Sequence, residues 1–139
     1  MPDALKPPVW LFVYGSLMPG HFNHHRIKPF VRGARPGRIK GILIDLGAFP
    51  ALVPGNGVVE GMVLEVDPVA LTITDRIEGY SPDGDDSLYL RKQVVVTLED
   101  HAQILAWTYE FADPERIIDR PRCEVTTITG IPVYAWAGR

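Results

Sequence analysis

Residues 9–20 read Val9-Trp10-Leu11-Phe12-Val13-Tyr14-Gly15-Ser16-Leu17-Met18-Pro19-Gly20. From Val9 to Tyr14 every residue is apolar or aromatic, then Gly15 and Ser16 interrupt the run and Met18-Pro19-Gly20 turns the chain. A short apolar run bounded by turn residues is expected to form a strand buried on both faces. Its end carries the chemical interest. Gly15 lacks a Cβ, so another group can approach the backbone closely, and Ser16 adds a hydroxyl beside main-chain N–H groups. Such a corner can receive an anion or an oxyanion. On these residues alone, a strand followed by a tight turn is the favoured reading.

Downstream, His21–Lys28 is polar and reads as a loop or one helical turn. Arg32, Arg35, Arg38 and Lys40, punctuated by Gly33, Pro36 and Gly37, read as a solvated turn and strand edge, where charge discourages edge-to-edge pairing. Ile39–Leu46 follows as a strand with Ile42, Ile44 and Leu46 on one face. Gly47–Pro54 is turn-rich but apolar, hence packed. Gly55-Asn56-Gly57 is a hairpin-turn signal, because Asn and Gly tolerate positive φ. Val58–Val66 is then the returning strand, with Val58, Met62, Leu64 and Val66 on one face.

Pro68–Glu78 is the best helix candidate. Asp67 suits its cap, Pro68 its first position and Gly79 the residue beyond its end. Val69, Ile73 and Ile77 give the expected buried stripe. Ser81–Ser87 is a loop, Leu88–Leu98 a strand, Glu99-Asp100 a hairpin turn, and His101–Phe111 the return, with Leu105, Trp107, Tyr109 and Phe111 sharing a face. Pro114–Arg120 is expected to be a short helix, and Cys123–Trp136 to add short strands or pack across the sheet. Strands outnumber helices and several are joined by hairpins. The fold class is therefore α+β: a small, curved, barrel-like, mainly antiparallel sheet with one or two helices.

The totals narrow the class. The 139 residues suit a single domain spanning 1–139, with a core over about 9–111 and a tail over 112–139. Apolar residues make up 46% and charged residues 22%, as in soluble globular proteins. A formal net charge of −3 favours neither nucleic acid nor an anionic membrane, so neither is expected as a partner. Thirteen Gly and thirteen Pro point to frequent turns rather than long helices. With Cys123 as the single cysteine, no intrachain disulfide or cysteine-based zinc site can form. The first residues lack the pattern of a secretory signal, and no run nears the roughly 18 apolar residues that span a bilayer, which makes a cytoplasmic location the expectation.

His21, His24 and His25 match no strong zinc spacing and read as a polar surface segment. Asp83, Asp85 and Asp86 lack the alternating ligands and terminal Glu of an EF-hand. Gly55, Gly57 and Gly61 make no dinucleotide fingerprint, and no phosphate-binding loop is present. Neither a metal nor any other cofactor is expected. Ser16 as a hydrolase nucleophile lacks the second glycine of a nucleophile elbow. Cys123 reads as a small buried apolar residue. Glu78 is different: the helix C-terminus disfavours its charge, Asp75 three residues earlier repels it, and burial against the sheet would raise its pKa further. A carboxylate so tuned can accept and return a proton near neutral pH. On these residues alone, an exposed helix-terminal glutamate is the favoured reading.

An ordered set of segments resembles the γ-glutamylcyclotransferase-like family. It comprises Tyr14-Gly15-Ser16-Leu17 after the first strand, Asn23-His24-His25, Phe49-Pro50-Ala51-Leu52-Val53-Pro54-Gly55 and Val59-Glu60-Gly61. It closes with Asp75-Arg76-Ile77-Glu78-Gly79-Tyr80 and Tyr89-Leu90-Arg91 ahead of Val94-Val95-Val96. The resemblance covers about Val9 to Tyr109. It departs in Thr74-Asp75, where leucine-aspartate is usual, in the acidic loop, and in the tail after Phe111.

The resemblance implies a barrel-like α+β fold with a cavity between the first strand's end and the helix bearing the glutamate. It implies release of 5-oxoproline from a small-molecule γ-glutamyl amine or amide, without metal or cofactor, as the substrate's own α-amine attacks its γ-carbonyl. Glu78 would be the general acid/base. Tyr14, Gly15, Ser16 and Leu17 would hold the substrate through main-chain N–H groups, with Tyr80, Tyr89 and Arg91 as supports. A binding module that holds a carboxylate or γ-glutamyl compound without turnover is the alternative reading.

Overall fold

The computed structural model describes residues 7–82 and 86–138, so Asp83 and Asp85 of the acidic loop lie outside the described residues. The strand expected from the opening stretch is β1 (Val9–Val13), with Leu11, Phe12 and Val13 all buried. Burying a Leu or Phe side chain fully contributes about 1.5–3 kcal/mol. β1 has a neighbour on each edge. It runs antiparallel to β3 (Pro50–Val66), from Val9 opposite Val66 to Val13 opposite Met62, and parallel to β5 (Gln103–Phe111), Leu11 opposite Trp107.

From β5 the sheet continues antiparallel through β4 (Tyr89–Leu98) and β2 (Val31–Asp45), and β2 pairs antiparallel with β3. The order β1-β5-β4-β2-β3, with β3 returning to β1, closes five strands into a mixed, mainly antiparallel, barrel-like sheet. Closure removes the unpaired edges that an open sheet would present. β7 (Ile131–Tyr134) adds to β3 in parallel, and β6 (Glu124–Ile128) hairpins onto β7. One α-helix, α1 (Val69–Ile77), is present among the described residues, and none there is long and apolar enough to cross a membrane.

Two packed clusters fill the molecule. Alternation along β1 sends Leu11 and Val13 into one, with Ala70 of α1, and Phe12 and Tyr14 into the other, with Tyr134 and Trp136 of the tail. The expected tail strands are the β6–β7 hairpin, whose outer strand is exposed along its whole length.

Several local expectations are corrected. Gly55-Asn56-Gly57 is not a turn; β3 runs through it unbroken. The pairing jumps from Lys40 opposite Val58 to Ile42 opposite Val53, so residues 54–57 form an irregularity inside the strand. The reversal lies instead at residues 46–49, where Gly47 has φ +95° and donates its N–H to Asp45 Oδ1 at 2.7 Å. Gly57 is there for space: a Cβ would strike the Tyr134 ring and lie 2.9 Å from the Gly41 carbonyl oxygen. Close approach and tight turning leave the same mark in a sequence.

The basic segment is likewise strand rather than turn. Arg35 and Arg38 lie in β2 and pair at its surface with Asp100 (3.5 Å) and Glu60 (3.1 Å). On α1 Ile73 and Ile77 of the expected stripe pack partly buried against the core, but the fully buried residues are Ala70 and Thr74, and Val69 is 46% exposed. On β5, Leu105 is exposed whereas Ala106 and Thr108 are buried, because both faces of this strand meet packing partners. Pro114–Arg116 makes one 3-10 turn, not a helix to Arg120.

Candidate active site

β1 delivers the chain to the turn at Tyr14–Leu17, which Met18 closes by donating its N–H to Gly15 O at 3.0 Å. The polar segment after it is a brace. Asn23 donates its backbone N–H to Ser16 O at 2.8 Å and its Nδ2 to Ser16 Oγ at 2.9 Å. His24 Nδ1 meets Leu17 O at 2.8 Å, and His25 Nδ1 meets Phe22 O at 2.9 Å. These contacts orient the turn, and no group of three metal-ligating side chains is assembled among the described residues. Within the turn, the N–H groups of Gly15, Ser16 and Leu17 donate to no backbone carbonyl among the described residues.

Beside the turn lies a cavity of about 170 Å³. Tyr14, Gly15, Ser16 and Leu17 line one side, and Glu78 lines it from the helix. Gly15 explains how the wall comes so close: a Cβ there would lie 2.9 Å from Pro50 Cγ, and Pro50 also lines the cavity.

Local chemistry fixes Glu78. Asp67 starts α1, its Oδ1 accepting the Val69 N–H at 3.0 Å. The helix ends in a Schellman motif: Tyr80 N–H donates to Asp75 O at 2.8 Å and Gly79 N–H to Arg76 O at 3.3 Å, with Gly79 at φ +64°. Glu78 occupies the cap position, its own N–H bonded to Thr74 O at 2.9 Å. The backbone of the acid is therefore set by its neighbours in sequence.

Its electrostatics are set by the fold. Glu78 is partly buried at the cavity wall, and removal from water pushes its carboxyl from 4.5 up to about 7. Burial is the cause, rather than repulsion from Asp75 or the helix end. Asp75 is engaged elsewhere, accepting from Tyr109 Oη at 2.6 Å and lying 3.3 Å from Arg91 Nε. Arg91 in turn stacks over Trp107 at 4.7 Å and Tyr80 at 5.7 Å. Arg91 and Tyr80 thus stand behind the helix end, outside the cavity lining, whereas Tyr89 lines it.

Burial raises the hydroxyl pKa of Tyr14, Tyr89 and Tyr109, and the Glu78 charge pushes Tyr14 and Tyr89 further up. All three are neutral hydrogen-bonding groups at physiological pH. Tyr14 donates to Tyr109 O at 2.7 Å and Tyr89 to Pro50 O at 2.9 Å, so both phenols stay anchored to the frame.

No local signal in the sequence marks Asn23, Pro50 or Tyr109 as site residues. Asn23 and Pro50 stand within the family-like segments, but nothing local marks their approach to Ser16 and Gly15. Alternation puts Tyr109 on a strand face, which says nothing of its hydroxyl. Cys123 lies apart, beside a different hollow shared with Trp136.

The cavity thus brings together a carboxylate whose pKa burial raises, the Tyr14–Leu17 turn and the side chain of Tyr89. Ser16 Oγ accepts from Asn23, and no histidine lines the cavity among the described residues, so the Ser–His pair of a serine hydrolase is not assembled there.

The chain matches the family described as gamma-glutamyl cyclotransferase, AIG2-like, over residues 11–136, a span that includes most of the tail. It is 36% identical over 103 residues to the gamma-L-glutamyl-butirosin B gamma-glutamyl cyclotransferase of Niallia circulans, covering 73% of this chain and 65% of that protein. Among solved structures, an AIG2-like protein from Mus musculus superposes with a TM-score of 0.68 at 25% identity, covering 96% of this chain and 100% of that one. YkqA from Bacillus subtilis gives 0.61 at 26% identity, covering 76% of this chain but 36% of the longer protein. The chain belongs to the AIG2-like gamma-glutamyl cyclotransferase family.

Proposed function

We propose that the protein releases 5-oxoproline from a γ-glutamyl amine or amide, with Glu78 as general acid/base. The carrying observation is that Glu78, raised to about 7 by burial, faces the same cavity as the Tyr14–Leu17 turn. The substrate's α-amino nitrogen attacks its own γ-carbonyl carbon, a C–N bond forms, and the γ-amide C–N bond breaks. Glu78 takes a proton from the attacking nitrogen and returns it to the departing amine. Substrate plus enzyme becomes 5-oxoproline, free amine and unchanged enzyme.

Intramolecular attack needs a folded substrate pose rather than a protein nucleophile. The amides of residues 15–17 and the Ser16 hydroxyl serve the α-carboxylate or the developing oxyanion. Incubation with a panel of γ-glutamyl amines, γ-glutamyl amino acids and glutathione should release 5-oxoproline from at least one. Glu78→Gln should lower that rate by about 10²–10⁴. Release no faster than the Glu78→Gln control across the panel would sink the proposal.

A further inference from the structure

The mouth of the cavity carries information about the departing amine. A volume of about 170 Å³ holds an amino-acid-sized fragment. Sites that enclose a whole drug-sized ligand run to about 300–1,000 Å³. The turn and Glu78 take up the polar atoms of the γ-glutamyl part, so whatever is attached to the departing nitrogen must lie at the rim.

Two large apolar side chains lining the cavity are only half covered: Phe49 is 40% exposed and Leu88 48% exposed. They come from different elements, Phe49 from the β2–β3 reversal and Leu88 from the residue before β4. Both are held in place. The Phe49 ring sits 6.5 Å from the Tyr89 ring. Leu88 donates its N–H to Gly79 O at 3.0 Å and accepts from Ala112 N–H at 2.9 Å. A pre-positioned apolar pair beside a pocket gains from being covered by an apolar group. Among the described lining residues Glu78 is the one formally charged side chain, so a carboxylate on the departing amine meets no cation and one like charge.

Resting on the cyclotransferase reading, we propose that Phe49 and Leu88 form the leaving-amine subsite, and that the preferred substrates carry an aryl or branched-alkyl amine without a carboxylate.

The test compares matched amides on the full chain. γ-Glutamylbenzylamide should exceed γ-glutamylmethylamide in kcat/KM by about tenfold or more. γ-Glutamylphenethylamide should exceed γ-glutamylphenylalanine, which differs from it by the carboxylate alone. Leu88→Ala and Phe49→Ala should each compress the benzyl-to-methyl ratio by about tenfold. If Phe49→Ala fails to fold because its ring rests on Tyr89, Phe49→Leu and Leu88→Ala decide. A ratio near one, a ratio unmoved by the variants, or preference for the carboxylated partner would overturn the proposal. If the wild type turns over no amide, the cyclotransferase reading fails by itself. Calorimetric binding of the same pairs to the Glu78→Gln protein then decides the subsite, equal affinities overturning it.

Discussion

The Tyr109 hydroxyl donates to Asp75 Oδ1 at 2.6 Å, tying β5 to the last turn of the helix that presents Glu78. A phenol has one proton, so the Thr74 hydroxyl, also 2.6 Å away, donates to Tyr109 rather than accepting from it. Thr74 is fully buried, and Arg91 Nε lies at 3.3 Å from Asp75 without hydrogen-bond geometry. Tyr109 is thus the directional contact of this cluster.

Tyr109→Phe should therefore lower stability by about 1–3 kcal/mol, because it strips a partner from a carboxylate and leaves the buried Thr74 hydroxyl only its longer bond to Leu71 O at 3.3 Å. Urea unfolding checks this. A loss within about 0.5 kcal/mol, the usual range of an inert surface change, would mean that water or Arg91 replaces the phenol.

The pH dependence follows from Glu78. As the proposed base it must be ionised, so kcat/KM should fall on the acid side of about pH 7, tenfold per unit. An acid limb centred near 4.5, the ordinary glutamate position, would show that burial does not govern the catalytic group.

The same group bears on stability, with the sign opposite to that of an ion-paired carboxylate. Between 4.5 and about 7 the folded protein holds the Glu78 proton while the unfolded chain does not. Wild-type stability should fall as pH rises through this window and level off above it. The full penalty is on the order of 3 kcal/mol, reduced by whatever water reaches the carboxylate. Glu78→Gln cannot ionise, so it should exceed the wild type in stability above pH 7, the gap closing toward pH 4.5. A gap independent of pH across this range would refute the account.

Gly57→Ala tests the corrected reading of residues 55–57. Its Cβ meets the Tyr134 ring and two carbonyl oxygens, those of Gly41 at 2.9 Å and Pro132 at 3.1 Å. Overpacking of this kind costs about 1–3 kcal/mol. Thermal unfolding should show a clear drop, and an unchanged midpoint would imply that the β3–β7 junction gives way freely.

Much of the site's chemistry was legible because it is local. The apolar run from Val9 to Tyr14 announced β1, and Asp67 and Gly79 bounded the helix, because caps and chain reversals depend on immediate neighbours. The ordered segments from Tyr14 to Arg91 pointed to the family that the whole-chain match shows. Misreadings arose where a residue answers to a distant partner. Gly57 yields to Tyr134 and Gly37 to Val96, whose Cγ1 would lie 2.6 Å from a Cβ, and glycine in a sequence does not reveal which demand it meets.

The sequence by itself determined the strand that ends at Gly15-Ser16 and the helix that ends at Glu78-Gly79, since short-range hydrogen bonds and apolar spacing suffice for both. Only the tertiary structure decided that the two ends line one cavity, with β1 paired to β5 and Tyr109 of β5 bonded to Asp75 of the helix. It also decided the proton affinity of Glu78, because that depends on how much water Tyr14, Tyr89 and their neighbours exclude. Desolvation belongs to the enclosure, and no stretch of chain carries it alone.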